Sequence, residues 1–442
     1  MGAVLSLIEL SRTGIADMDV ASREIDPNAG RSWDVPLLFA TRCVRLFAYG
    51  FLSVVLVLYL SAVGIDNERI GVLLTLTLLG DTLVSLPITT WADRIGRRRM
   101  LVAGALLMVF AAGLFAITRD FTWLLVAATI GVISPSGGEI GPFLSIEQAA
   151  LSGLLPGERR TMIFAWYNLI GSFATAVGAL VGGFVCQWVE SRGATGADIY
   201  RPAIVGYGAV GLLLAVMFLW LSSRIEVTTA ENSTAAARGP LGLGQSRGIV
   251  AKLSVLFAMD AFGGGFIVQS VLAYWFKVRF DVDLATLGGI FFGANVLAGI
   301  SALLAARLAN RIGLINTMVF THLPSNVLLM LVPLMPNFPL ALTLLLIRYS
   351  ISQMDVPTRQ SYVMAVVAPE ERSAAAGVTA MARSLGAALS PWMATRFLDS
   401  DNVLLAGMPF FLAGGIKVLY DLLLYREFVT LKTPEESSRH NC

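Results

Sequence analysis

The chain has 442 residues, of which 56% are hydrophobic and 14% are charged, and its formal net charge is +2. A single soluble core of this length does not bury so much apolar surface, so the composition excludes a soluble globular protein. The apolar runs are unbroken over helical lengths, which excludes alternating barrel strands and predicts an all-α polytopic membrane protein. The nearly balanced charge gives no reason to expect a nucleic-acid partner.

Residues 1–34 are mixed polar and show no apolar stretch followed by a cleavage site, so we expect a cytoplasmic tail and no signal peptide. Twelve segments of membrane-spanning length follow this tail. The predicted spans are 38–63, 69–91, 100–117, 121–152, 161–188, 203–222, 251–276, 285–308, 314–334, 339–366, 373–397 and 403–425. They predict an N-terminal six-helix bundle (35–222), a cytoplasmic linker (223–250), a C-terminal six-helix bundle (251–426) and a cytoplasmic tail (427–442).

Arginines and lysines are distributed unevenly between the two sides of these spans. With the N-terminus inside, the cytoplasmic segments carry about three times as many as the external segments. This excess predicts that both termini are cytoplasmic, and we expect a plasma-membrane location. The three cysteines and two histidines lack the spacing of metal ligands, so we expect no metal and no cofactor.

The two halves of the chain share landmarks at nearly one offset. The pair Glu158 and Arg159 recurs in the second half as Glu371 and Arg372. Asp93, in the basic hairpin after the second span, is matched at almost the same separation by Asn310 in a weaker copy of that hairpin. These landmarks predict a duplicated six-helix unit with a pseudo-twofold relation, as in transporters whose halves rock against each other.

Two motifs resemble signatures of the major facilitator superfamily. The basic hairpin is similar to the family's loop between spans two and three, although Thr89 and Trp91 depart from its pattern. The matching residues are Asp93, Arg94, Gly96, Arg97 and Arg98. The fifth span resembles the signature of the drug:proton antiporter-like branch without its proline, at Gly178, Gly182 and Gly183.

The resemblance implies a twelve-helix major facilitator fold and a conformational latch at the hairpin. In such a latch, Asp93 faces a helix N-terminus of the other half and the arginines pair with acids in only one state. We assign Glu147, Arg159 and Arg372 to the same network. The simpler interpretation of the hairpin is a positively charged cytoplasmic turn, and that of the span-five glycines is close helix packing rather than a gate.

Ionisable side chains at membrane depth are costly, so each is expected to face a cavity or a partner. These residues are Asp81, Glu139, Glu147, Asp260, His322, Arg348, Asp355, Arg359 and Arg383. Glu139 follows the helix-breaking segment 134–138, and Asp260 precedes three consecutive glycines, so both are expected beside bends. The predicted substrate and proton cavity is lined by Tyr49, Glu139, Trp166, Asp260, Asp355, Arg359 and Arg383.

The alternatives for these residues are structural. Asp355 and Arg359 lie one helical turn apart and can form an internal salt bridge, and His322 can be a hydrogen-bonded packing residue. Proton coupling needs a carboxylate whose surroundings change during the cycle, and Glu139, Asp260 or Asp355 can supply it.

We expect a monomeric secondary transporter that moves a small organic solute, with proton-coupled efflux as the preferred direction. The chain has no phosphate-binding loop of the ATPase type and no catalytic constellation, so we expect neither direct ATP use nor an enzyme. A proton-coupled importer, for example of an organic anion, and a transporter-like membrane sensor remain as alternatives.

Overall fold

The computed structural model describes residues 33–139, 141–154, 157–226, 244–368, 371–398, 400 and 402–429. Within these residues the chain is helical and contains no strand. Spans 1 to 6 are Asp34–Ser53 with Leu56–Ala62, Asn67–Ile95, Arg97–Ile117, Phe121–Ile130 with Phe143–Leu154, Gly157–Ser191 and Arg201–Leu219. Spans 7 to 12 are Arg247–Gly265 with Gln269–Phe280, Leu284–Ile312, Leu314–Leu331, Phe338–Ser352 with Asp355–Val366, Arg372–Leu389 with Pro391–Thr395, and Met408–Phe428.

Nine of the described segments are long and apolar enough to cross a membrane. The other three predicted spans, 4, 10 and 11, are divided into shorter helices. The order of elements therefore matches the twelve predicted spans.

The longest interruption among the described residues lies in span 4, where residues 131–139, 141 and 142 are not helical. Gly137 and Gly141 have φ angles of +69° and +80°, which side chains disfavour, and Pro135 and Pro142 cannot donate a helical hydrogen bond. The predicted interruption of this span is confirmed. In span 7 the helix continues through the three glycines and breaks afterwards, at residues 266–268.

The two bundles meet mainly through span 5 against span 8 and span 2 against span 11. We call the end of the protein where span 1 begins and span 12 ends the terminal end, and the opposite end the far end. Gly183 lies against Leu284 and Gly288 of span 8, and Gly71 lies against Thr395 of span 11. These contacts all lie toward the far end, where the two bundles therefore pack closely.

Candidate functional site

Arg45 of span 1 lies at the centre of an ion network in the first bundle. Its Nη1 and Nη2 atoms each lie 2.7 Å from a carboxylate oxygen of Glu147, and Nη2 also lies 2.7 Å from Glu139 Oε1. Thr41 and the Tyr167 hydroxyl donate further hydrogen bonds to Glu147. The side chains of Arg45 and Glu147 are fully buried, so the pair needs these hydrogen bonds to offset the loss of hydration.

Arg42 extends this network toward span 5. Its Nη1 lies 3.0 Å from Glu139 Oε2, and its Nη2 donates to Asn168 Oδ1 at 3.1 Å. The contact between Arg42 Nη1 and Glu139 Oε2 lacks hydrogen-bond geometry. The guanidinium also lies over the Tyr167 ring, 4.2 Å from its centroid. Glu139 thus joins two cations of span 1 to the interruption of span 4.

Asp260 of span 7 occupies the corresponding place in the second bundle. Its Oδ1 lies 2.5 Å from Lys417 Nζ, and its Oδ2 lies 3.2 Å from Arg359 Nη1 and 3.0 Å from Arg383 Nη1. Arg359 also pairs with Asp355 at 2.9 Å, which is the predicted pair one turn apart. Three cations from spans 10, 11 and 12 therefore stabilise one buried carboxylate.

His322 of span 9 connects this network to a second acid of span 12. Its Nδ1 lies 2.8 Å from Asp421 Oδ1, and its Nε2 lies 3.7 Å from Asp260 Oδ1. Asn326 donates to Asp421 Oδ2 at 3.0 Å. His322 is therefore hydrogen-bonded to Asp421 in the bundle interior and lies near a second carboxylate, that of Asp260.

Few members of the two networks are accessible. The side chain of Arg383 is 33% exposed and that of Glu139 is 14% exposed, whereas the Asp260 side chain is 4% exposed. Trp166, a predicted cavity residue, is 40% exposed. Tyr49, also predicted to line the cavity, is fully buried and therefore packs inside the first bundle. Glu139 and Arg383 are therefore the most exposed charged side chains of the two networks.

The interruptions of spans 4 and 7 meet at the boundary between the bundles. The N–H of Ser270 donates to the carbonyl of Pro135 at 3.0 Å, and Gln269 Nε2 donates to Ser53 Oγ at 2.8 Å. Asn295 of span 8 donates to Gln269 Oε1 at 3.2 Å. Backbone groups freed by two broken helices are thus satisfied across the boundary.

Nearer the far end, charged and polar groups join the bundles again. Arg396 Nη2 lies 2.6 Å from Glu68 Oε1, and the N–H of Leu284 donates to Gln187 Oε1 at 3.0 Å. Together with the close packing at Gly183, these contacts show a state that is closed at the far end.

Comparison with known families identifies this architecture. The model of the Major Facilitator Superfamily matches residues 38–391. The chain belongs to the Major Facilitator Superfamily. It is therefore a membrane transporter that carries small molecules by alternating access.

Individual relatives are distant. The membrane protein YJR124C of Saccharomyces cerevisiae is 28% identical over 442 aligned residues, which cover 92% of this chain and 97% of the relative. The quinolone resistance protein NorA of Staphylococcus aureus is 23% identical over 253 residues, 55% of this chain and 60% of the relative. A bacterial homologue of the human lysosomal transporter Spinster, solved in an inward-facing and unoccupied conformation, superposes with a TM-score of 0.69 at 14% identity. That match covers 92% of this chain and 99% of the other, and it concerns the fold alone.

The basic hairpin between spans 2 and 3, which matches the superfamily signature, is hydrogen-bonded to residues that follow span 6 of the same bundle. Glu226, which follows span 6, accepts hydrogen bonds from the N–H groups of Arg97 at 2.6 Å and Arg98 at 3.3 Å. The Arg97 and Arg98 side chains donate to the carbonyls of Ile225 and Leu221. A carboxylate at this helix N-terminus stabilises it through the exposed N–H groups.

The remaining latch residues are placed as follows. The side chain of Asp93 and that of Arg159 lie outside the described residues, and Arg94 and Arg372 lie at the terminal end. Glu147, which we expected in the latch, belongs instead to the Arg45 network. Glu147 is fully buried in the half-helix Phe143–Leu154, in the interior of the first bundle.

The span-five glycines contact two different neighbours. Gly178 and Gly182 lie against the backbone of span 1 at Phe47 and Phe51, inside one bundle. Gly183 lies against Gly288 of the other bundle. The signature therefore serves close packing in two of its positions and the boundary between bundles in the third.

Sequence reasoning missed Lys417 and Asp421 in span 12. Each is a charged residue within an otherwise apolar segment, which was the available signal. Arg42 and Arg45, which were not among the predicted cavity residues, also lie in the interior of the first bundle. The described residues contain no group of three or more His, Cys, Asp or Glu side chains that fits a metal ion.

Proposed function

We propose that this transporter exports a small organic solute in exchange for protons. The observation that carries the proposal is the pair of ion networks around Arg45 and Asp260, one inside each bundle. Charged groups at membrane depth are costly and are retained where a charge is bound or moved. Residues of both networks lie on spans that contact the other bundle, namely spans 1, 4 and 5 for the first network and spans 7 and 11 for the second. A solute crosses at this boundary in alternating access.

The accessible residues suggest what a solute meets. Glu139 and Arg383 present opposite charges from opposite bundles, and Trp166 presents an exposed aromatic ring. A solute with a polar group and a flat apolar part finds partners for both. A solute bound to Glu139 competes with Arg42 for that carboxylate, and a solute bound to Arg383 competes with Asp260 for that guanidinium. Binding of the solute can therefore loosen each network.

The direction and location rest on other features. Similarity to NorA, a protein named for quinolone resistance, favours export, as does the span-five glycine signature. The excess of basic residues at the terminal end favours cytoplasmic termini in a plasma membrane. A monomer is the simplest assembly, because each chain contains both bundles.

The test measures proton movement by the purified protein in the presence of a solute. Proteoliposomes loaded with a pH-sensitive dye are exposed to a panel of cationic, neutral and anionic compounds. We expect at least one class to change the internal pH, and we expect Glu139→Gln and Asp260→Asn to lose that change. If no compound of the panel changes the internal pH while the protein remains folded, the proposal is contradicted.

A second candidate, the proton-coupled import of an organic anion, is favoured by Arg348 of span 10. This residue is only 7% exposed, its Nε has no acceptor, and no acid among the described residues pairs with it. A buried cation without a counter-ion attracts an anionic solute. Import is favoured if cells that express the protein accumulate a labelled anion and if this accumulation is lost in Arg348→Gln. Export is favoured if such cells instead become more tolerant to a toxic compound.

A further inference from the structure

Asp81 differs from the other acids in the interior of the spans. It lies midway along span 2, Asn67–Ile95, and it is partly exposed. Glu139, Glu147, Asp260, Asp355 and Asp421 each form an ion pair with an arginine, lysine or histidine. No cationic side chain in the described part of the chain pairs with Asp81.

The hydrogen bonds of Asp81 tie it to the interruption of span 4. Its Oδ1 accepts from the N–H of Gly141 at 2.7 Å and from the Ser85 hydroxyl at 3.3 Å. Gly141 has a φ of +80° and stands two residues before the half-helix Phe143–Leu154. Asp81 therefore fixes the backbone conformation from which this half-helix starts. No donor among the described residues contacts its second oxygen, Oδ2.

The other titratable groups around Asp81 are neutral, acidic or already paired. Tyr49, Tyr207 and Glu139 lie near it, and of these the two tyrosines are neutral and the glutamate is an acid. Span 3 and the half-helix Phe121–Ile130 carry no ionisable side chain beside it.

Charged side chains on the other neighbouring helices are engaged elsewhere. In the half-helix Phe143–Leu154 the acid Glu147 binds Arg45. On span 11, Arg383 binds Asp260 and Arg396 binds Glu68.

We propose that Asp81 is the residue that takes up and releases the transported proton. An unpaired carboxylate at membrane depth gains most from protonation, whereas the paired acids lose an ion pair when they bind a proton. A proton on Oδ2 removes the negative charge beside Glu139 and weakens the hydrogen bond from Gly141. Proton uptake thereby loosens the interruption of span 4.

The inference rests on the proposed proton coupling, so its test separates the two. Asp81→Asn keeps an oxygen that accepts from Gly141 but binds no proton. In proteoliposomes this variant is expected to lose solute-dependent proton flux while it still exchanges labelled for unlabelled solute across the membrane. Asp81→Glu restores a carboxyl group and is expected to recover proton flux. Asp198→Asn, at an exposed far-end position, is the matched control and keeps both activities.

A second readout does not depend on transport. Infrared difference spectra between alkaline and acidic buffer show the carbonyl band of a carboxyl group that gains a proton. We expect a band that is lost in Asp81→Asn and shifted in Asp81→Glu. Unchanged proton flux or an unchanged band in Asp81→Asn overturns the inference. Absence of flux in the unmodified protein refutes proton coupling instead, and the infrared band then still decides whether Asp81 binds a proton.

Discussion

Arg45 and Asp260 occupy corresponding positions in the first spans of the two bundles, and they carry opposite charges. Their separation in sequence is nearly that of the repeated acids Glu158 and Glu371. Arg45 is held by acids from span 4, whereas Asp260 is held by cations from spans 10, 11 and 12. The two bundles thus hold central ions of opposite charge at corresponding places.

These opposite charges have a consequence for a solute between the bundles. Glu139 and its counterpart Asp355 stand at the corresponding interruptions of spans 4 and 10. The first bundle offers an accessible acid, Glu139, and the second offers an accessible cation, Arg383. If the proposed function is correct, we expect the preferred solute to carry both charges, or one charge together with a proton.

Removal of Arg45 tests how much the first network stabilises the bundle. Arg45→Met leaves Glu139 and Glu147 without their shared cation, and an uncompensated buried charge destabilises a protein by about 3–5 kcal/mol. Thermal unfolding in detergent should show a clearly lower midpoint. The control is Lys252→Met, because the exposed pair of Lys252 with Glu427 contributes only about 0–1 kcal/mol. Equal midpoints for the two variants would show that the network is not stabilising.

A substitution at the closely packed Gly183 tests whether the two bundles are closed at the far end. A Cβ atom at Gly183 would lie 2.8 Å from Gly288 Cα, so Gly183→Val should force spans 5 and 8 apart. The fraction of closed molecules is measured by cross-linking with a short bis-thiol reagent between residues changed by Glu68→Cys and Arg396→Cys, in a background without the native cysteines. We expect a lower yield with Gly183→Val. Gly289→Val, where no atom lies within 4 Å, should leave the yield unchanged.

Substitution of Gln269 tests the polar contacts between the bundles at the interruption of span 7. Gln269→Ala removes hydrogen bonds to Ser53 and Asn295, each of which contributes about 0.5–1.5 kcal/mol. The loss should reduce the population closed at the far end, as seen by fluorescence energy transfer between labels at that end. Ser350→Ala, which removes a hydrogen bond within span 10 alone, is the control. The same distribution for Gln269→Ala and the control would exclude a gating role for Gln269.

The hydrogen bonds of Glu371 predict that the backbone at the start of span 7 becomes less stable at low pH. Its carboxylate accepts from the N–H of Ser246, and further from those of Gly244 and Gln245, and these bonds lower the pKa of Glu371. A lowered pKa means that its stabilising effect is present above the ordinary glutamate pKa and is lost as pH falls through the lowered value.

Hydrogen exchange measures this response directly. Amides of Gly244, Gln245 and Ser246, corrected for intrinsic exchange rates, should stay protected until the pH falls below the ordinary glutamate range. Glu371→Gln should weaken that protection at neutral pH, and Glu427→Gln should not. Protection lost well above the ordinary pKa of a glutamate would contradict this role for the cap.

Local patterns in the sequence predict the spans and the interruption of span 4 well. Apolar length determines a span, and Pro135 with the following glycines prevents a regular helix wherever the rest of the chain lies. The pair of Asp355 with Arg359 is likewise local, because both lie on one face one turn apart.

The partners of the buried charges are not local. Lys417 meets Asp260 across 157 positions of sequence, and Arg45 meets Glu139 across 94. Before the tertiary contacts are known, Arg45 is indistinguishable from an anchoring arginine near a span end, and Asp81 is indistinguishable from the paired acids. The structure separates these cases by which side chains pack together.

We propose that a proton gradient drives the movement of the solute. The most direct measurement is the direction of movement of a transported compound in proteoliposomes under a pH gradient that is imposed first in one direction and then in the other. We expect the solute to move opposite to the protons and its net flux to reverse when the gradient reverses. Solute movement that is the same under both gradients would contradict proton-driven exchange.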